Sequence, residues 1–236
     1  MYPEHLDGLE LGGIYIHEPG GVLSNVVIAI VATYLAIRLY HRAGNRPKAW
    51  ILFLLCLALA AAAGIFTHGF PHLLGPKAFY WLWWAKNSII LLGNAALWYA
   101  FLPSIISNTS RLYPVVQKLV MLKLVLFSFA LALAFSFTPA VIHLALTYFM
   151  VIFVTALHRK QVPAYSAFFT AFVLALLSGF LYLIPLHPHP HWLTNSDVVH
   201  YLAILSMVFI YRGALLAMGG SLPGIALAPE DDRPKV

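Results

Sequence analysis

The chain has 236 residues, of which 61% are hydrophobic and only 9% charged, with a net charge of +6. Soluble domains carry about 25% charged residues, so this composition excludes a water-soluble globular protein and calls for lipid as solvent. The 14 Lys and Arg form no cluster dense enough for nucleic acid.

In chain order, the segment 1–21 holds Glu4, Asp7, Glu10 and Glu18 without a basic region, unlike a cleaved signal. Seven apolar runs follow, at 22–40, 48–69, 78–102, 114–136, 139–157, 163–185 and 196–218. Each is long enough to cross roughly 30 Å of hydrocarbon as a helix. The join near Phe137-Thr138-Pro139 is short, with Pro139 as its breaker, and a re-entrant segment there would leave six spans. The expected fold is therefore an all-α seven-transmembrane bundle forming one domain over 1–218, followed by a cytoplasmic tail over 219–236.

Lys and Arg set the orientation, because cytoplasmic loops retain positive charge. Arg38, Arg42, Arg46 and Lys48 mark the first loop, Arg111 and Lys118 the third, Arg159 and Lys160 the fifth, and Arg212, Arg233 and Lys235 the C-terminal region. With seven spans these lie on one side, which puts the N-terminus outside. Nine of the 11 histidines then fall on the outer side.

Between Glu18 and Glu230 the only carboxylate is Asp197, three residues before His200 and on the same helix face. Lys86 and Asn87 sit inside the third span, where an ionisable residue marks a candidate site. Each has a plainer reading. Asp197 suits a helix N-cap, with Ser196 or Asn195 as rivals, Lys86 suits snorkelling to the outer headgroups, and His143, like the Asp197–His200 pair, suits interhelical hydrogen bonding. The run His187-Pro188-His189-Pro190-His191 reads as a stiffened loop or an external metal ligand set.

The run Glu18-Pro-Gly-Gly-Val-Leu-Ser24-Asn25 resembles the start of the first helix in alkaline ceramidases. Gly64-Ile-Phe-Thr-His68 looks like that family's Ser-x-x-x-His, and Asn195-Ser196-Asp197-Val-Val-His200 its last helix. The resemblance implies a divergent, bacterial-type member of the ceramidase-like (CREST) superfamily in the plasma membrane. It implies zinc at His68 and His200 with Asp197 as a substitute third ligand, calcium near Glu18, and Ser24 and Asn25 as cofactor-binding neighbours. Asp197, Asn87 and Lys86 are the catalytic candidates, and a lipid amide the implied substrate. Gly64 stands where the family has its Ser, and Phe79 near its Asp. The alternative is a non-catalytic or repurposed member that binds lipid, metal or haem. Membrane lipid is the one partner expected.

Overall fold

A computed structural model describes residues 8–43, 48–134, 136–158, 160, 162–182, 184, 192 and 194–219. Glu4, Asp7, the His187–His191 run and the tail after 219 lie outside them. A short antiparallel hairpin, β1 (Leu9–Leu11) and β2 (Ile14–Ile16), turns at Gly12-Gly13, both at positive φ, where glycine carries no Cβ penalty. Seven helices follow: α1 (Pro19–Ala43), α2 (Lys48–Gly69), α3 (Pro71–Ile105), α4 (Leu112–Ala134), α5 (Thr138–His158), α6 (Pro163–Leu181) and α7 (Asn195–Gly219). Six are long and apolar enough to cross a membrane. The exception is α3 rather than the α4–α5 join. It carries Lys77, Lys86, Asn87 and Asn94, and bends at Gly75 (φ 67°). His72 lies in the first turn of α3, and the hairpin and residues 71–77 of α3 went unread in the sequence.

Packing closes α1, α2, α3, α5, α6 and α7 into a ring, with α4 outside it against α3 and α5. The main core draws on those six helices and includes Ala32, Leu39, Leu54, Leu97, Phe168 and Phe172. At one end Trp50 stacks on Phe168 with ring centres 4.8 Å apart, and Phe101 meets Phe168 edge-on. The outlying α4 joins a small second cluster through Leu131, with Leu91 and Ala140. Much of its remaining apolar surface, including Leu119, Leu122, Val125, Leu126, Phe129 and Leu133, is exposed. Such an outer surface needs lipid around it.

The two ends differ in charge. Arg38, Arg42, Lys48, Arg111, Lys118, Lys160 and Arg212 belong to the Trp50 end, whereas the described carboxylates, Glu10, Glu18 and Asp197, belong to the other.

Candidate functional site

At the acidic end, three helix termini meet. Glu18 precedes α1, His68 ends α2, and Asp197 and His200 lie in the first turns of α7. They approach closely because Gly20 and Gly21 open α1. A Cβ at Gly20 would stand 2.6 Å from Asp197 Oδ2, and one at Gly21 3.2 Å from Glu18 Oε2 and 3.4 Å from His68 Cβ. The glycine pair was the sequence signal for this convergence.

Two hydrogen-bonded chains occupy the site. His68 Nδ1 contacts Glu18 Oε2 at 2.6 Å. Burial pushes the Glu18 carboxyl up, but the His68 hydrogen bond and the charges of His68, His17 and Lys86 more than offset it, leaving it below its usual value. In the second chain Ser24 Oγ lies 3.1 Å from Asp197 Oδ1 and 2.8 Å from His200 Nδ1. A carboxylate only accepts, and as the charged acceptor it outcompetes the Gly21 carbonyl at 3.2 Å. Ser24 therefore donates its single hydrogen to Asp197, and His200 Nδ1–H donates to Ser24. The Nε2 lone pair of His200 is left for a ligand. The His68 and His200 rings stand perpendicular, 6.1 Å between centres.

Asp197 is fully buried, and its role is double. Its Oδ2 accepts from Thr194 N at 2.8 Å and Thr194 Oγ1 at 2.7 Å, which makes Thr194 the N-cap of α7 and Asp197 the third-position partner that reaches back. The sequence reading had Asp197 itself as the cap; the helix starts at Asn195, two residues too early for that.

Lys86 joins from α3, donating to Thr67 Oγ1 at 3.4 Å, with its charge felt at Glu18. Asn87 is fully buried; it donates to Trp83 O of its own helix at 2.9 Å, while its Oδ1 meets no partner among the described residues. Asn25 donates to Gly21 O at 2.7 Å, and its amide fills the space that a side chain at residue 64 would need. Gly64→Ser, which introduces the serine that alkaline ceramidases carry there, is thus expected to displace Asn25 and lower stability by about 1–2 kcal/mol. A thermal melt in detergent measures this; an unchanged or raised melting temperature would contradict it.

Catalytic zinc takes three protein ligands and keeps one open position. Here two imidazoles face each other, but both Asp197 oxygens are engaged by Thr194 and Ser24. Among the described residues no group of three or more His, Cys, Asp and Glu could hold a metal ion. The described residues by themselves do not compose the zinc set, and Glu18, the described residue of the expected calcium site, is committed to His68.

A second polar centre, unread in the sequence apart from His143, joins α3, α4 and α5. Asn94 Nδ2 lies 2.6 Å from His143 Nδ1 and 3.0 Å from Thr147 Oγ1; Trp98 Nε1 and Lys123 Nζ each reach Thr147 Oγ1 at 2.8 Å. The signal was available: Lys123 is a cation midway along an apolar run.

No curated protein and no solved structure matches the chain. A family model described as a family of unknown function, DUF6962, matches residues 21–218, from the glycine that opens α1 to the end of α7. The match takes in all seven helices and nearly every residue of the site, and the chain belongs to the DUF6962 family.

Proposed function

We propose that this protein binds the polar head of a membrane lipid at the outer end of a seven-span bundle, keeping a ceramidase-like fold without the hydrolase's metal set. The N-terminus lies outside and the C-terminus in the cytoplasm of a bacterial plasma membrane. The basic residues gathered at the Trp50 end support this orientation. The stretch 76–105 of α3 is about 45 Å long as a helix, enough for the seventh span.

The observation that carries the lipid reading is the pair of imidazoles. Both Nδ1 atoms are held, His68 by Glu18 and His200 through Ser24 by Asp197. His200 Nε2 is an acceptor, and His68 Nε2 accepts when neutral and donates when protonated. A lipid hydroxyl, which both donates and accepts, matches such a pair. The unpartnered Asn87 Oδ1 adds a buried acceptor on α3. Mass spectrometry of lipids retained by the purified full chain tests the reading. His68→Gln and His200→Gln together should reduce one hydroxyl-bearing lipid class roughly tenfold, the worth of about one charge-assisted hydrogen bond. An unchanged lipid profile would contradict it.

One feature favours a second reading, zinc-dependent hydrolysis of a lipid amide. Metal-bound imidazoles are oriented by acceptors on their other nitrogen, as both Nδ1 atoms are here. Metal content separates the two readings.

A further inference from the structure

Far from the imidazole site, a groove of about 340 Å³ runs between α6 and α7 at the basic end. Its walls are Pro163, Ala167, Phe209 and Leu216, and its polar groups are Ser166, Thr170 and Arg212. Arg212 is exposed and makes no ion pair among the described residues. The described carboxylates stand toward the opposite end of the bundle, and the one that shares α7 with Arg212, Asp197, is about 22 Å away along the helix axis. A counter-ion for this guanidinium therefore has to come from outside the described chain.

The helices on either side are fixed. Ser206 Oγ donates to Ala171 O at 2.8 Å, and a Cβ at Gly213 would come within 2.6 Å of the Phe168 ring. Thr170 gives its hydrogen to Ser166 O at 3.1 Å, and the Ser166 hydroxyl, one turn earlier, is exposed at the groove. A guanidinium beside a hydroxyl, above an apolar trough opening to lipid, matches one ligand class in both parts. A phosphodiester takes the fork of the guanidinium, and acyl chains follow the trough.

We propose that the α6–α7 groove seats an anionic phospholipid, its phosphate on Arg212 and Ser166 and its chains along Ala167 and Phe209. This rests on the helices crossing a membrane, but it requires neither the imidazole site nor either orientation. The remaining basic residues of that end, Arg38, Arg42, Lys48 and Lys160 among them, add a positive field that favours an anionic over a zwitterionic head.

Native mass spectrometry of the full chain in mixed micelles, with phosphatidylglycerol or phosphatidylcholine as probe, tests the proposal. The wild type should retain phosphatidylglycerol in preference to phosphatidylcholine. Arg212→Gln should lower that occupancy roughly tenfold, whereas Lys77→Gln, at the opposite end of the bundle, should leave it unchanged. Equal occupancy in the wild type and Arg212→Gln, or equal retention of the two lipids, would overturn it. Occupancy that appears only after Glu230, Asp231 and Asp232 are neutralised would assign the groove to the chain's own tail and overturn it as well. Release of the chain from membranes by an alkaline wash would remove the membrane reading and this proposal together; retention without lipid selectivity removes the proposal alone.

Discussion

Replacing Asp197 by Ala should destabilise the folded protein by about 3–5 kcal/mol, the largest effect expected of any single polar change. The carboxylate serves three donors from two directions: Thr194 N, Thr194 Oγ1 and Ser24 Oγ. An alanine leaves buried groups unpaired at about 1–3 kcal/mol each and removes half of the α7 capping box, itself worth about 1 kcal/mol. Asp197→Asn should cost far less. Its carbonyl oxygen can keep both Thr194 bonds, and its amide can donate to Ser24 Oγ, whose hydrogen then turns to His200 Nδ1. Thermal melts of the two variants in the same detergent check the contrast. Equal losses in Ala and Asn would mean that the negative charge, rather than the hydrogen-bond geometry, holds the three helix ends together.

The second large effect is expected at Thr147. Three donors from α3 and α4, on Asn94, Trp98 and Lys123, converge on its hydroxyl. Thr147→Val preserves shape and removes their shared acceptor. Interhelical hydrogen bonds within membranes average about 0.6 kcal/mol with a maximum near 1.7. The hydroxyl oxygen has two lone pairs for these three donors, so two such bonds lost together should cost about 1–3 kcal/mol. The loss should fall chiefly on α4, which packs on the ring mainly through α3 and α5. Hydrogen exchange checks this: backbone amides of α4 should lose protection before those of α1 and α7. Uniform loss along the chain would contradict the placing of α4 as an outlier.

Seven helices were legible because each contains a long apolar run, six of them long and apolar enough to cross a membrane, and α2, α5 and α7 begin within a residue of their expected starts. The kinked start of α3 was not, since Pro71, Gly75 and Pro76 read as loop residues, whereas the chain uses them to begin a helix and bend it. At the site, Glu18, Ser24, His68, Asp197 and His200 are brought together as their placement near one end implied. Their wiring was hidden. Ser24 stands between Asp197 and His200, and Thr194 claims the other carboxylate oxygen, contacts that depend on how α1 docks at Gly20 rather than on spacing within α7. Lys123 and Thr147 were hidden for a similar reason: their meeting depends on α4 lying outside the ring, which no local pattern encodes.

The central claim is that two imidazoles without a third metal ligand form a lipid-head site. Elemental analysis of the full chain, purified from membranes without chelator, tests it most directly. The account predicts zinc well below one ion per chain, unchanged in His68→Gln and His200→Gln. A stoichiometric zinc that disappears in both variants would contradict it and give the site to metal chemistry.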